Sequence, residues 1–467
     1  MLVILLFLGM VPELTGATLP QGFSEERVLG PAGANWAQAT GIEFEDNGRI
    51  YVWEKAGRVW FQEYGETSWK LLIDLREEVG AWSDFGLLGF VLDPQFRANG
   101  HLYLMYVVDR HHLLNFGTPE YNPTVNEYTS ATIARITRYT ARSDDGFSSV
   151  DYGSRRVLLG QSPTNGIPIL YQSHEGGSLA FGNDGTLLVS TGDGASFIST
   201  DVGSAPETYF ARALADGIIT PKENVGAFRA QLVDSLSGKL LRIDPATGEG
   251  VPSNPFYDPA SPQAARSKVW ALGLRNPYRF TPRPGTGSHN PSEGRPGTLY
   301  IGDVGWGRWE ELNVCDGPGL NFGWPWFEGV DAQPKYSLQT VPNLDAPNPL
   351  ATESNCASFF SFGSLIRQKT TVVADHPPFA HPCVPTTRIP NAIPQFLHTP
   401  PTLDWIHGST QVRTWIPNDF GVATAISING AGSPVSGTPF DGNCSVAGVW
   451  YTGTSFPQQF RNTYFHA

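Results

Sequence analysis

The stretch Leu179–Val189 reads Leu-Ala-Phe-Gly-Asn-Asp-Gly-Thr-Leu-Leu-Val, a short apolar strand, a tight turn at Asp184-Gly185 and a second apolar strand. The glycine supplies the positive φ that a hairpin turn needs. The same pattern surrounds Asn47-Gly48, Asn99-Gly100 and Pro296-Gly297. The chain therefore repeats one structural unit, which consists of a strand, a glycine turn and a strand.

Two further runs predict the next strand of the same unit, one starting at Gly57 and the other at Gly238. Repeated antiparallel units at irregular spacing are typical of propeller blades with loops inserted between the strands. Two stacked sheets would also contain hairpins, but they would less readily repeat the same hairpin four times. We expect an all-β chain, with helix only around Glu207–Asp216.

The amino-acid composition agrees with an all-β fold and argues against one class of partner, nucleic acids. The 467 residues include 51 glycines and 38 prolines, and 12% of them are aromatic. The formal net charge is −13, and no cluster of lysine and arginine occurs. A nucleic-acid surface needs such a cluster, so we expect no nucleic-acid partner.

The N-terminus carries an apolar run over residues 1–11 and a small-residue site at Thr15-Gly16-Ala17. This pattern predicts a signal peptide over residues 1–17, although no basic residue precedes the run. A buried N-terminal strand is the alternative. The run is too short for a stable membrane span. Residues 18–467 would form the mature domain, secreted or periplasmic.

Four cysteines, Cys315, Cys356, Cys383 and Cys444, all lie in the C-terminal third. In an exported protein an even number predicts disulfides, with three possible connectivities. Residues 329–411 are rich in proline and longer than an ordinary loop. We interpret them as an insertion that caps one face, pinned by Cys356 and Cys383.

His174 stands immediately before Glu175 and the glycine pair Gly176-Gly177, on a predicted loop that enters a strand. In a propeller such loops line the central opening, where a histidine can take a proton near neutral pH. A histidine considered alone is more often structural, so its role depends on the motifs around it.

Several motifs follow one another in the order typical of one family, and together the chain resembles the glucose/sorbosone dehydrogenases over roughly residues 19–467. The family motif His-x-Gly-Gly-x-Leu-x-Phe-Gly-x-Asp-Gly matches His174–Gly185 and is followed by Gly192-Asp193-Gly194. The other matching segments are Leu19–Phe23, Gly86–Gly100, Leu272–Phe280, Gly302–Trp306, Trp309–Asn313, Asn321–Pro325 and Gly448–Gly453.

This resemblance implies a six-bladed β-propeller of four-stranded antiparallel blades that binds pyrroloquinoline quinone (PQQ) and Ca²⁺. It also implies oxidation of an aldose sugar at the anomeric carbon to a lactone. His174 would act as general base while hydride moves to the quinone, and calcium would polarise the quinone carbonyl. The sequence names neither the sugar nor the soluble electron acceptor.

The resemblance further implies roles for individual residues. Arg275 and Asn276 match the positions that contact the quinone, and a guanidinium suits an anionic cofactor. Gly305 and Trp306 match the positions whose backbone carbonyls bind calcium, and such oxygen ligands suit this ion. For Arg275 the alternative is a salt bridge between blades.

Three further residues would face the substrate. Asp84 falls where the family has a polar residue towards the sugar. Trp450 and Tyr451 lie in an aromatic stretch that would stack on a sugar or quinone ring, with core packing as the alternative.

Two departures from the family pattern stand out. Ser173 replaces the aspartate of the best-characterised members, so the carboxylate that would raise the pKa of the histidine is lost unless Glu175 replaces it. The sequence ends at Phe460–Ala467, where family members continue with strands that hold the quinone. A truncated product or fragment, with an open ring and an incomplete quinone site, is the expectation.

Two other functions compete with the dehydrogenase. The first is a non-catalytic propeller for ligand or partner binding, as in hedgehog-interacting proteins, because fold alone does not fix function. The second is a calcium-dependent lactonase, which would need acidic side chains converging on a central metal. Backbone-type positions stand there instead, so the lactonase ranks last.

Overall fold

The computed structural model describes Phe23 and residues 27–352, 356–370 and 379–466, which form an all-β protein with few helices. The predicted signal peptide, residues 1–17, lies outside this part of the chain. The helix predicted around Glu207–Asp216 is confirmed and covers Phe210–Ala215. In the described residues the α-helices are α1 (Phe96–Asn99), α2 (Arg110–Asn115), α3 (Phe210–Ala215), α4 (Ala265–Lys268) and α5 (Pro334–Ser337). None of the helices in these ranges is long and apolar enough to cross a membrane.

The first two sheets are built from consecutive strands that pair antiparallel. Sheet 1 contains β1 (Ala39–Phe44), β2 (Ile50–Glu54), β3 (Arg58–Gln62) and β4 (Lys70–Asp74). Sheet 2 contains β5 (Leu87–Leu92), β6 (His101–Val107), β7 (Thr132–Ala141), β8 (Val150–Leu159) and β9 (Ile167–Ile169), where β9 pairs with β7.

The next two sheets continue the pattern. Sheet 3 contains β10 (Gly176–Phe181), β11 (Leu187–Thr191), β12 (Lys239–Ile243) and β13 (Val269–Leu272). Sheet 4 begins with β14 (Pro277–Pro282), β15 (Leu299–Asp303) and β16 (Trp309–Cys315). All four expected strand pairs are antiparallel, and the third strands after Gly57 and Gly238 are confirmed. The expected tight turn is confirmed at Asn47-Gly48 and Asp184-Gly185, whereas α1 lies between β5 and β6 and residues 283–298 form a long connection between β14 and β15.

After β16 the chain leaves sheet 4 and forms short paired strands. These are β17 (Phe327–Glu328), β18 (Asp331–Ala332), β19 (Pro342–Pro347), β20 (Phe359–Ser361), β21 (Ile366–Arg367) and β22 (Phe396–Leu397). A disulfide joins Cys356 to Cys383 here, as expected, whereas Cys315 and Cys444 are free.

The chain then returns to sheet 4 and ends in a separate hairpin. The returning strands are β23 (Leu403–Ile406), β24 (Val412–Pro417) and β25 (Ala423–Ser427), and the hairpin is β26 (Gly448–Tyr451) with β27 (Thr463–His466). Sheet 4 therefore has six strands. The expectation of four strands in every blade is wrong for sheet 4, where β24 and β25 continue the ladder beyond β23, and for sheet 2, where β9 adds a fifth strand beside β7.

Side-chain oxygens stabilise the hairpin turns locally. Asn47, Asn99 and Asp184 each accept a hydrogen bond from the backbone N–H two residues on, at 2.9, 2.9 and 3.1 Å. This Asx arrangement mimics a backbone turn and tolerates the following left-handed glycine. The Asx-Gly pair therefore accounts for the turn in three of the four repeats, and Pro296-Gly297 has no such side chain.

The first strands of successive sheets lie side by side, since β1 contacts β5, β5 contacts β10, β10 contacts β14 and β14 contacts β26. Together they line a central cavity of about 410 Å³. Gly89 lets two of these strands approach, because a Cβ there would lie 2.6 Å from the Gly177 carbonyl oxygen. The arrangement is propeller-like, while the blade number of six and the closure of the ring stay predictions.

Apolar side chains fill the space between neighbouring sheets. Phe90 and Leu104 of sheet 2 are buried in one cluster with Tyr51 of sheet 1. Trp270 of sheet 3 and Ile301 of sheet 4 are buried together in another. Burial of such side chains contributes roughly 25 cal/mol per Å² of apolar surface, so packing between sheets holds the strand ends in place.

Candidate active site around His174

The predicted catalytic histidine stands where two sheets meet. His174 precedes β10, and Asp193 follows β11, whose end pairs with the start of β10. Arg275 and Asn276 precede β14 in the next sheet. The Asp193 N–H donates to the Arg275 carbonyl at 2.8 Å, and the Gly176 N–H donates to Asn276 Oδ1 at 3.1 Å. These bonds join the loops before the two inner strands.

His174 is paired with a buried carboxylate. Its Nδ1 lies 3.0 Å from Asp193 Oδ1, and Asp193 is completely buried. The same carboxylate accepts the Ala195 N–H at 2.9 Å and the Trp324 indole N–H at 2.7 Å. Asp193 is therefore fixed on both oxygens and can orient the imidazole ring.

The protonation of this pair follows from its surroundings. Burial alone would raise the pKa of Asp193, but the charge and hydrogen bond of His174 and the nearby Arg275 guanidinium lower it overall. An ionised carboxylate only accepts hydrogen bonds, so His174 Nδ1 carries the hydrogen. In the described part of the chain no hydrogen bond reaches Nε2, which leaves its lone pair available.

Burial lowers the pKa of His174, Arg275 acts in the same direction, and Asp193 opposes both. The imidazole is consequently neutral at neutral pH. A neutral imidazole with a free Nε2 lone pair is what a general base requires.

The backbone at His174 is unusual for a residue with a side chain. Its φ is +69°, in the left-handed region, which costs of order 1 kcal/mol or more for a non-glycine residue. Gly192 makes this conformation possible, because a Cβ there would lie 2.0 Å from the His174 carbonyl oxygen. Strain held by the surrounding structure is a mark of functional sites.

Arg275 is buried beside this pair and has an unsatisfied donor. Its Nη1 donates to the Val304 carbonyl at 2.8 Å, and its guanidinium lies 5.5 Å from the centre of the Trp324 ring. Its Nε is buried without a hydrogen-bond partner. Arg275 forms no salt bridge in the described ranges, so the alternative of a bridge between blades finds no support.

Asp303 holds the backbone of both predicted cofactor residues. Its two oxygens accept the Arg275 N–H at 2.9 Å and the Asn276 N–H at 2.7 Å. These two bonds fix the backbone of the loop before β14. Asn276 Oδ1 in turn accepts the Gly176 N–H at the start of β10. The side-chain amide N–H groups of Asn276 donate to no residue that the structure describes.

Glu175 does not supply the carboxylate that Ser173 lacks. Burial raises the pKa of Glu175 well above its ordinary value, and Asp84 adds to the rise. The rise in pKa disfavours the charged form of Glu175, and its Oε1 is buried without a partner among the described residues. The loss of a carboxylate expected from Ser173 is compensated by Asp193, 19 residues further along the chain. Asp84 itself is exposed at the end of the preceding loop.

The loop after β15 contains Gly305 and Trp306, the residues predicted to bind calcium. The side chain of Glu328 fixes the backbone of this loop. Four consecutive backbone N–H groups, those of residues 306–309, donate to Oε1 of the buried Glu328 at 2.8 to 3.4 Å. Within the described ranges, no donor is hydrogen-bonded to the carbonyl oxygens of Gly305 and Trp306. These two oxygens are available as ligands.

A cavity of about 280 Å³ adjoins this loop, lined by residues 306–309 and 331–335 together with Glu328. Its lining includes neither His174 nor Arg275. The site is therefore defined by the hydrogen-bonded groups at the strand ends and not by this cavity.

Trp450 and Tyr451 lie in β26 and contact other aromatic rings. Trp450 packs edge-on against Tyr300 with ring centres 5.1 Å apart, and Tyr451 stacks on Phe456 at 4.2 Å. Both side chains are half-buried. Their stacking on a sugar or quinone ring stays a prediction, with core packing as the alternative.

Three residues that shape the site were not among the predicted ones: Asp193, Trp324 and Glu328. Asp193 and Trp324 lie inside matching motifs, Gly192-Asp193-Gly194 and Asn321–Pro325, and that match was the available signal. No local signal pointed to Glu328, which reaches its loop from 19 to 22 residues away.

Comparison with known proteins agrees with these motifs. A family model described as Glucose / Sorbosone dehydrogenase matches residues 36–356. The HIPL1 protein of Arabidopsis thaliana is 25% identical over 306 residues, which cover 60% of this chain and 38% of that protein. Aldose sugar dehydrogenase YliI of Escherichia coli (strain K12) is 25% identical over 248 residues, which cover 53% of this chain and 48% of that protein.

Among solved structures, the PQQ-bound form of aldose sugar dehydrogenase from Streptomyces coelicolor is 18% identical with a TM-score of 0.42, covering 86% of this chain and 84% of that one. The chain spans less than half the length of the two curated relatives described above.

Proposed function

Because the chain belongs to the glucose/sorbosone dehydrogenase family, we propose that it oxidises an aldose sugar at the anomeric carbon to the lactone, using PQQ and Ca²⁺. One observation carries the proposal. A neutral His174, held by Asp193 with its Nε2 free, lies beside a buried Arg275 that retains an unpartnered N–H.

In this proposal His174 Nε2 accepts the proton of the anomeric hydroxyl as the C–H bond at the same carbon is broken. The imidazolium that forms is stabilised by the ionised Asp193 at Nδ1, 3.0 Å away. General-base catalysis of this kind contributes about 10²–10⁴-fold in rate. The left-handed backbone at His174 and the bonds to Asp193 hold the ring, so little orientation is lost when the proton moves.

The residues present suit the two cofactors. The unpartnered Nε of Arg275 and the free amide N–H groups of Asn276 are donors for an anionic, carbonyl-rich ring system. The carbonyl oxygens of Gly305 and Trp306 are hard ligands suited to calcium. When bound, the quinone supplies the acceptor for hydride.

Asp84 is exposed, and its charge acts on His174; in this proposal it would accept a hydrogen bond from a sugar hydroxyl. We also assign the protein to a secreted or periplasmic location. The Cys356–Cys383 disulfide is consistent with an oxidising compartment. A six-bladed ring remains part of the proposal.

A second candidate is a non-catalytic propeller that binds a ligand or partner. The name of the Arabidopsis relative, HIPL1 protein, states no dehydrogenase activity, and this observation keeps the candidate open. The lactonase finds less support, because among the described residues the one group of three or more potential ligand side chains with ligand atoms close together is Cys356, His381 and Cys383, which contains no carboxylate.

The proposal is tested by titrating PQQ into the purified protein with Ca²⁺ present and following quenching of tryptophan fluorescence. We expect saturable binding that weakens in Arg275→Gln and is unchanged in Arg283→Gln. Arg283 is the matched control, because it makes the same charge change but lies over Trp450, away from the site. Absence of saturable binding by the native protein would remove the dehydrogenase proposal.

Replacing Asp193 with Asn should change the pH dependence of turnover. His174 is active as a base only when neutral. We therefore expect kcat/KM to be highest at pH values above the lowered pKa of His174 and to fall as the pH drops through that pKa. Asp193 raises that pKa, so Asp193→Asn should move the acid limb to lower pH and reduce the plateau, since the ring loses its orienting acceptor. Measuring kcat/KM from neutral pH downwards, to the lowest pH at which the protein stays folded, tests this, because the pKa of His174 lies below the ordinary value for histidine. An acid limb that moves to higher pH would contradict the assignment.

A further inference from the structure

A second group of reactive side chains lies in the segment that leaves sheet 4, outside the site around His174. His381 Nδ1 is 3.5 Å from Sγ of Cys383, and His381 Nε2 is 2.8 Å from Oδ1 of Asn348. His381 is only 1% exposed, whereas Cys383 is exposed and Cys356, its disulfide partner, is half-buried. A buried imidazole therefore lies between an amide and a sulfur that solvent can reach.

The hydrogen bonds of Asn348 determine which nitrogen of His381 carries the hydrogen. The Asn348 side-chain N–H donates to the Ala357 carbonyl at 2.8 Å, and its Oδ1 also accepts the Leu350 N–H at 3.0 Å. Oδ1 is thus the atom facing His381, so His381 Nε2 donates to it. Nδ1 is left as an acceptor on the side of Cys383.

The other surroundings of His381 are neutral. Nδ1 also lies 3.4 and 3.3 Å from the backbone N–H groups of Cys383 and Val384, and the ring packs edge-on against Phe360 with centres 5.1 Å apart. No carboxylate or cationic side chain is bonded to His381 in the ranges that the structure describes. Nδ1 therefore has no competing charged partner beside the sulfur.

A metal site is the other use of this group, since the ligand atoms of Cys356, His381 and Cys383 lie within 4.8 Å of one another. The two sulfurs are joined in a disulfide, however, so they offer no thiolate ligands in this state. The order sulfur, imidazole Nδ1, imidazole Nε2, amide oxygen is instead that of a Cys-His-Asn relay, which activates a thiol.

We propose that the Cys356–Cys383 disulfide is a thiol-exchange site for low-molecular-weight thiols, with His381, held by Asn348, acting on Cys383. The site lies outside the proposed dehydrogenase centre and does not depend on it.

The exchange balances as follows. An incoming thiol gives up its proton to His381 Nδ1, and the resulting thiolate forms a bond to Cys356 Sγ. The Cys356–Cys383 bond breaks, and its electron pair leaves on Cys383 Sγ, beside the protonated His381. A second thiol then bonds, as its thiolate, to the sulfur of the first; the bond to Cys356 breaks, and Cys356 Sγ leaves with the electron pair and takes up the proton of the second thiol. Two thiols are thereby oxidised to one disulfide, and the protein disulfide is reduced.

The pairing with His381 should make Cys383 far more acidic than an ordinary thiol. A thiolate beside an imidazolium has a pKa of about 3.5–7.5, compared with about 8.5 for a free cysteine. Cys444 is a control within the same molecule, because burial raises the pKa of this free thiol to about 11.

The test reduces the native full-length chain with glutathione, labels it with iodoacetamide at a series of pH values, and maps the labelled peptides. We expect Cys383 to label fastest of the four cysteines, with half of its maximal rate reached below about pH 7.5. Half-maximal labelling of wild-type Cys383 at or above about pH 8.5 would overturn the proposal whatever the variants do.

Two variants isolate the relay. His381→Gln should move half-maximal labelling of Cys383 towards about pH 8.5, a loss of tenfold or more in rate at about pH 6.5. Asn348→Asp keeps an acceptor for Nε2 and should leave the low midpoint in place. Equal profiles for wild type and His381→Gln would show that the contact is structural only, and would refute the exchange site.

Discussion

Replacing His174 with Asn is expected to lower kcat/KM for aldose oxidation by about 10²–10⁴-fold while leaving PQQ binding unchanged. The substitution removes the imidazole whose Nε2 lone pair would take the hydroxyl proton. Asn is the appropriate replacement, because it tolerates the positive φ of +69° at this position better than most residues. Steady-state kinetics with an artificial electron acceptor measure the effect.

A matched control separates chemistry from structure. His407→Asn changes a histidine that is bonded to Glu310 at 2.6 Å and is not hydrogen-bonded to Asp193 or Arg275. This variant should retain turnover. Full activity in His174→Asn would show that another group takes the proton, and would remove His174 from the mechanism.

Replacing Asp184 with Ala should destabilise the fold by about 3 to 5 kcal/mol, because it leaves a buried guanidinium without its counter-charge. Asp184 Oδ2 accepts from Arg242 Nη2 at 2.7 Å, and both side chains are fully buried. Arg242 also bonds Asn254 and the Pro291 carbonyl, so it joins sheet 3 to two loops. Thermal unfolding followed by circular dichroism measures the change in Tm.

Two comparisons locate the cause of that loss. Asp184→Asn keeps the Asx bond to Thr186 but removes the charge, so it should fall between wild type and Asp184→Ala. Glu293→Ala removes an exposed ion pair to Arg295 in the neighbouring loop and should leave Tm unchanged, since exposed pairs contribute little. An Asp184→Ala protein with wild-type Tm would contradict the role of this pair.

The hairpins were predictable from the sequence because their cause is local. In three of them an Asx side chain accepts a hydrogen bond from the backbone N–H two residues on, and the residue between the two is a glycine. A short local stretch of sequence therefore specifies the turn. The position of His174 followed from the same logic, since it immediately precedes the inner strand of one such hairpin. The coarse fold and the catalytic candidate were therefore accessible without coordinates.

The electrostatic setting of His174 was not accessible in this way. Ser173 suggested that a neighbouring carboxylate was missing, yet Asp193 supplies one from the end of the adjacent strand. The contacts of Trp450 and Tyr451 were not accessible for a related reason. An aromatic run shows that side chains are apolar, but the packing around β26, and not the local pattern, decides which partners they contact. Sheet 4 also contains two strands, β24 and β25, that no repeated motif predicted.

We propose that the site around His174 oxidises an aldose when PQQ and Ca²⁺ are present. The most direct measurement follows reduction of an artificial electron acceptor by the native protein, with a panel of aldoses and with each cofactor omitted in turn. We expect acceptor reduction that requires the sugar, PQQ and Ca²⁺ together and is accompanied by an equal amount of lactone. Saturable PQQ binding with no aldose-dependent reduction would contradict it and would favour the non-catalytic propeller.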